Sequence, residues 1–299
     1  AKLSSILITT GAHFSTDAIQ MAAENNIDVV LLDKFGSPYG RLWPAKMGST
    51  AAIRRRQIEV AETDEGVEVV RAWTRTKLTN QREFLTELGR RRPASESLFD
   101  KACAAVDREV DALAALGGGD LDTRRQQILG CEARGAAAYW RLIRTLPPKA
   151  FQFEKRTRHP AKDPVNAMLN YAYGVLYSEV ERACIVAGLD PFVGLLHTDN
   201  YNKRSMVYDL VEPFRIWADR TVVTLFTGRR CREDMFHAGD DGVVLEKPAR
   251  ELLLGNLNEY LDASVRYKVK SGRSGKSRSI KRRACIQAEA HTFANRLLG

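Results

Sequence analysis

Several side chains in the second half of the chain share one chemical theme, hard oxygen donors beside an imidazole. The run Leu176-Tyr177-Ser178-Glu179-Val180-Glu181-Arg182 carries two glutamates. His197 ends the apolar stretch that begins at Pro191, and Asp209 and Glu212 follow in the segment from Val207 to Arg215. Carboxylate oxygens with one imidazole suit Mg2+ or Mn2+, provided the fold gathers them. In a strongly basic chain such a centre points at phosphodiesters.

Each member also has a plainer explanation. A histidine closing an apolar stretch is ordinarily a core or boundary residue, and only its company makes His197 a ligand candidate. Asp209 and Glu212 stand at i and i+3, so both carboxylates share one helix face. Their neighbours Val207, Leu210, Val211 and Phe214 are apolar. A buried acidic pair is costly there unless a cation compensates it. Pro213 has no N–H, so the carbonyl of Asp209 loses its helical partner and a kink is expected directly after Glu212. Periodicity does not choose between Glu179 and Glu181, because both have partly apolar neighbourhoods. His13, His159, His237 and His291 have no partners at metal-ligand spacing and read as structural or surface residues. Neither H-E-x-x-H nor a Cys/His cluster is present, which disfavours zinc. The absence of G-x-S-x-G argues against a serine-nucleophile elbow.

The formal net charge of +9 has an uneven source. From Ala263 to Ala288 there is no acidic residue, while Arg266, Lys268, Lys270, Arg273, Lys276, Arg278, Lys281, Arg282 and Arg283 all fall within it. One segment therefore matches the whole excess, which predicts a localised polyanion contact. Its centre, Ser271 to Ser279, reads as a mobile basic loop. No apolar helix face accompanies the charge, so a membrane surface is disfavoured, and no apolar run approaches the roughly 20 residues of a membrane span. Five scattered cysteines form neither a C-x-x-C pair nor a disulfide framework, which suggests a reducing cytoplasm.

These donors need a scaffold, and the patterning predicts an α+β chain. A small N-terminal β-rich domain over 1–48 is followed by a large all-α catalytic domain over 49–299. Ser5 to Thr9 reads as a strand, Thr16 to Asn25 as an amphipathic helix capped by Ser15, and Asp28 to Leu32 as a buried strand. A turn at Gly36 to Gly40 leads into Arg41. The strand near the start, without a preceding Met, suggests that earlier strands belong to the same domain. Helices are expected over 51–62, 67–92, 95–116 and 122–144, then from Asp163 as N-cap with Pro164 to Ala187 and Gly188. Further helices are expected over 205–226, 247–267 and from Arg278 onward.

Four stretches together resemble the CRISPR-associated integrase, the Cas-one family. They are Asp163 to Tyr171, Leu176-Tyr177 with Glu181, Gly188 to His197, and Asp209 to Arg215. Gly11 to Pro44 is similar to that family's β-rich domain, and Phe236 to Leu253 is similar as well. Carried over by position, the resemblance implies Glu181, His197 and Glu212 as metal ligands and catalytic residues, with Asp209 at a neighbouring acidic position. Glu179 matches no ligand. The implied reaction is insertion of short DNA into a CRISPR array: a 3′-hydroxyl attacks a phosphodiester with Mg2+ or Mn2+ bound, and DNA is also cleaved. The implied partners are DNA, a second copy of the chain and a Cas-two dimer. Arg156, Asn166, Asn170 and Arg215 lie in the matching motifs and are expected to position phosphates or orient carboxylates. Arg266, Lys268, Lys270, Arg273, Lys276 and Arg278 complete the expected DNA surface. The alternatives are a non-catalytic nucleic-acid scaffold of the same fold and a transposase-like relative. The lack of an evident helix-turn-helix after Arg278 weighs against the latter.

Overall fold

The computed structural model describes residues 5–9, 11–25, 27–36, 38–42, 51–117, 120–158, 160–197, 203–239, 242–268 and 277–299. Three short strands come first. β1 (Ser5–Ile8) runs parallel to β2 (Asp28–Leu32) through the crossover helix α1 (Thr16–Glu24), and β3 (Pro38–Leu42) returns antiparallel to β2. Ser15 caps α1 by accepting the Ala18 amide at 3.2 Å, as its position before the amphipathic run requires. The end of the Gly11 to Pro44 stretch, Trp43 and Pro44, lies outside the described residues.

Helices then dominate. α2 (Ala51–Ala61) leads into α3 (Asp64–Arg90), α4 (Glu96–Ala115) and α5 (Leu121–Ile143), and the last three pack on one another as a layer. Asp120 caps α5 through the Thr123 amide at 2.9 Å. α6 (Pro164–Ala187) is the central helix, with buried residues on almost every side. Asp163 accepts the Asn166 amide at its start, and Gly188 closes it with φ 85°. Only a residue without Cβ adopts that left-handed conformation at no cost.

The N-terminal sheet docks on this central helix. Arg41 of β3 ion-pairs with Asp28 of β2 at 3.0 Å and donates to the Ser178 carbonyl of α6 at 2.6 Å. A Cβ on Gly174 would sit 2.0 Å from the Gly36 carbonyl oxygen, so α6 needs glycine where the turn before β3 crosses it.

The expected helix over 205–226 is broken at the predicted place. α7 (Ser205–Leu210) stops, Glu212–Phe214 form a short 3-10 turn, and α8 (Arg215–Thr227) starts afresh. Two other expectations were wrong. α9 (Lys247–Asp262) ends five residues before Tyr267, and α10 (Arg282–Leu298) begins after Arg278. Between them β6 (Ser264–Lys268) and β7 (Ser277–Lys281) pair antiparallel. Val265, Tyr267 and Ile280 alternate with polar residues at period two, which is a strand signal. A second hairpin joins β4 (Phe236–Gly239) to β5 (Gly242–Leu245), where helix patterning also gives way. Among the described residues, no helix is long and apolar enough to cross a membrane.

Candidate active site

His197 ends a segment held from three sides. The buried Gln57 of α2 donates to the carbonyls of Asp190 and Val193 at 2.9 and 2.6 Å and accepts the Asp190 amide at 2.8 Å. Arg125 of α5 donates to the Leu195 carbonyl at 3.1 Å. Asp209 of α7 accepts the amides of Leu195 and Leu196 on Oδ2, at 2.6 and 2.9 Å. Its Oδ1 lies 2.5 Å from His197 Nδ1. Gly194 makes this packing possible, since a Cβ there would stand 2.5 Å from Ser205 Cβ. Asp209 orients the imidazole and assigns the proton to Nδ1, leaving the Nε2 lone pair outward. The hydrogen bond to Asp209 raises the His197 pKa, against the opposing effect of burial.

Glu212 lies on the 3-10 turn, 3% exposed. Arg215 donates to its Oε1 at 2.7 Å, and Lys77 of α3 reaches within 2.5 Å of its Oε2. Burial alone would raise this carboxyl, but Arg215 and Lys77 outweigh it and pull the pKa down to about 2. Lys77 also lies 2.5 Å from Glu132 of α5. One turn further along α3, Asn80 donates to the Pro213 carbonyl at 2.8 Å, so α3 grips the turn at two points. Arg215 is in turn stacked over the rings of Tyr173 and Tyr177, at 5.2 and 5.6 Å.

The two glutamates on α6 have separate fates. Glu179 pairs with Arg283 of α10, which also bonds Asn258 and Asp262. Glu181 pairs with Arg204, the residue before α7, at 3.0 Å and with Arg41 at 3.5 Å. Glu181 therefore faces the segment that leads to Asp209, and Glu179 faces a structural joint.

The fold brings His197, Asp209, Glu212 and Glu132 into one electrostatic neighbourhood, since both glutamates act on the imidazole. Glu181 is instead held by its own ion pairs, with Arg204 and Arg41. Among the described residues, no three His, Cys, Asp or Glu side chains converge into a metal cage. Arg204, Arg41 and Lys77 stand against the carboxylates instead. Asp209, expected among the ligands, has both oxygens engaged by N–H donors and serves His197. Glu212 and His197 nevertheless carry the donor atoms that a hard divalent ion takes. Glu212 Oε2 is buried and faces Lys77 alone, while Arg215 takes Oε1. His197 Nε2 is unclaimed among the described residues, and carboxylate with imidazole is the donor chemistry such ions take.

Lys77, Glu132 and Arg204 escaped the sequence reading. Lys77 lies on the inward face of an amphipathic helix, a placement that hydropathy spacing alone could have flagged.

The expected DNA-contacting residues divide sharply. Arg156 bonds the amide oxygens of Asn166 and Asn170 and lies over the Trp140 and Tyr173 rings. Asn166 and Asn170 also donate to backbone carbonyls of Lys155, Thr157 and Arg158. These three residues clamp a loop to α6 rather than offer free groups to phosphate. The clamp leaves Lys155 and Arg158 exposed. Arg215 orients a carboxylate, one of its two expected roles. Arg266 and Arg278 are exposed on the β6–β7 hairpin, which Tyr267 anchors by donating to Glu289 of α10 at 2.7 Å. Lys268 belongs to β6, whereas Lys270, Arg273 and Lys276 lie outside the described residues. Arg282 stacks over Tyr260 and Arg283 is consumed by acids, so part of the basic stretch is structural.

Comparison with known proteins supplies the lineage. The family described as CRISPR associated protein Cas1 matches residues 1–259. The CRISPR-associated endonuclease Cas1 1 of Archaeoglobus fulgidus is 35% identical over 277 residues, covering 89% of this chain and 80% of that protein. A casposase bound to integration product has a similar fold, with TM-score 0.80 at 20% identity, covering 99% of this chain and 79% of that one. So does a chain of a Cas6-RT-Cas1–Cas2 complex, with TM-score 0.77 at 19% identity, covering 99% and 31%. With its central helix, its His197–Asp209 pair and a family match across most of its length, the chain belongs to the CRISPR-associated Cas1 family.

Proposed function

We propose that the protein is a divalent-metal-dependent DNA integrase and endonuclease of CRISPR adaptation. A DNA 3′-hydroxyl attacks a phosphodiester of the repeat, one P–O bond forms as another breaks, and no covalent enzyme intermediate arises. The observation that carries this reading is the imidazole of His197, oriented by Asp209 beside the buried Glu212, in a chain of an endonuclease-bearing family. Glu181, His197 and Glu212 would hold Mg2+ or Mn2+, which supplies charge stabilisation at the scissile phosphate.

The chain's own residues do the positioning. Asp209 keeps the Nδ1 proton and turns Nε2 outward. Arg215 holds Glu212 by its Oε1 and fixes the carboxylate, while Lys77 stands against the other oxygen. Arg266 and Arg278 carry positive charge onto an exposed hairpin, where duplex phosphates would pass. The fold shared with a chain of a Cas6-RT-Cas1–Cas2 complex supports Cas2 as a partner, and a second copy of this chain and a dimeric Cas2 complete the proposed assembly.

The test is strand transfer into a CRISPR repeat with Mg2+ or Mn2+, against a chelator control. Glu181→Ala, His197→Ala and Glu212→Ala should each abolish product while DNA binding persists. Full activity in any two of them would remove the assignment. The fold likeness to a casposase keeps a transposase-like reading in view. Equal insertion into unrelated target DNA would favour it.

A further inference from the structure

Lys77 is an unusual neighbour for a metal ligand. Its side chain is only 8% exposed, and its ammonium lies 2.5 Å from both Glu212 Oε2 and Glu132 Oε1. The oxygen it approaches on Glu212 is the one that Arg215 does not hold, the same atom that a divalent ion would need. Ammonium and ion cannot both sit against that oxygen, because a doubly charged ion strongly repels a cation at contact distance. Arg215 cannot play the same part. It holds the opposite oxygen and packs against two tyrosine rings. Lysine, a compact charge on a flexible four-carbon stem, is the side chain that can move.

Glu132 gives it somewhere to go. That carboxylate belongs to a different helix from Glu212, is 19% exposed, and already shares the ammonium. We propose that Lys77 is a resident counter-cation of Glu212 which the divalent ion must displace, and that Glu132 is the cradle that retains it. Resting on the metal reading above, the assignment makes Lys77 and Glu132 positioning residues. In the ion-free protein the buried Glu212 is neutralised by Lys77 and Arg215, so the site persists without metal. Loading then exchanges one internal cation for one external ion, with Arg215 keeping the carboxylate in place.

The experiment is Mn2+ titration of the full, DNA-free chain, followed by electron paramagnetic resonance. Lys77→Met removes the competing charge with little change of volume, and Mn2+ should bind about tenfold tighter. Glu132→Gln leaves the ammonium with Glu212 alone, and Mn2+ should bind more weakly by a similar factor. The double variant should follow Lys77→Met. Equal or weaker affinity in Lys77→Met, or a shift of both single variants in one direction, would overturn the proposal. Should Lys77→Met fail to fold, the sign of the Glu132→Gln shift decides alone. Glu212→Gln separates the two levels. If it leaves Mn2+ affinity unchanged, the metal reading itself falls and this one with it. If it abolishes binding while Lys77→Met has no effect, only the exchange is wrong.

Discussion

Asp209 bonds the His197 imidazole with one oxygen and two backbone amides, those of Leu195 and Leu196, with the other. The carboxylate thus accepts on both sides. An asparagine has one acceptor and one donor, so Asp209→Asn must either lose the amides or present N–H to Nδ1 and force the wrong tautomer. Strand transfer should fall roughly 100-fold. The His197 titration, followed by NMR, should move down toward the ordinary imidazole range. An unshifted titration would show that Asp209 does not control the ring.

Glu212 and Glu181 should differ in what they contribute to the fold. Removing Glu212 leaves Arg215 without its buried carboxylate and Lys77 with Glu132 alone, and breaking a buried pair costs on the order of 3 kcal/mol. Glu181 pairs with arginines that reach solvent or have other acceptors, Arg41 with Asp28 and Ser178. Glu181→Ala should therefore cost less than Glu212→Ala. Urea unfolding of both alanine variants in the presence of chelator measures the contrast.

Stability should also depend on pH through Asp219. Its Oδ1 accepts the Tyr173 hydroxyl in a fully buried setting, and burial pushes its pKa up to about 6. Between the ordinary carboxylate value of about 4 and about 6, the folded chain holds a proton that the unfolded chain has lost. Stability from this group is therefore complete below about pH 4 and is lost as pH rises to about 6. Asp219→Asn keeps the acceptor and removes the titration. It should be more stable than the wild type near pH 7, on the order of 2 kcal/mol. Parallel stability profiles for the two proteins across that window would count against this account.

Gly194→Ala should injure the site without touching a reactive group. Its Cβ would overlap Ser205 Cβ at 2.5 Å and crowd Asp209 Oδ2 at 3.1 Å. Overpacking of this kind costs about 1–3 kcal/mol. The segment carrying His197 should shift, so turnover should drop more than DNA affinity does. A variant with wild-type turnover would mean that the loop relaxes freely.

Charge reversal at Arg266 and Arg278 should weaken DNA binding and flatten its salt dependence. Each lost phosphate contact removes about 0.9 from the logarithmic slope on duplex DNA. An unchanged slope would take the β6–β7 hairpin out of the binding surface.

Much of the scaffold was legible because its signals are local. Ser15, Asp163 with Pro164, Gly188 and Pro213 each act within one or two turns, and each starts, ends or breaks a helix where its chemistry demands. The departures from helix at 263–267 and 278–281 have a local origin too. Val265 and Tyr267 were absorbed into a helical spacing, although their alternation with Arg266 and Lys268 is that of a strand. The chain pattern also carried the candidates Glu181, His197, Asp209 and Glu212, and the family motifs that link them.

Partnership was beyond its reach. Lys77, Glu132 and Glu212 belong to three elements separated by 55 and 80 residues in sequence, and only packing of α3, α5 and the turn before α8 brings their charges together. Asp209 looked like a ligand from spacing, and the backbone of residues 195–196 claimed it. Arg156, Asn166 and Asn170 looked free, and the fold spent them on each other. A side chain's type is written in the sequence, but its electrostatic partner is chosen by burial, where any unpaired charge is too costly to leave alone.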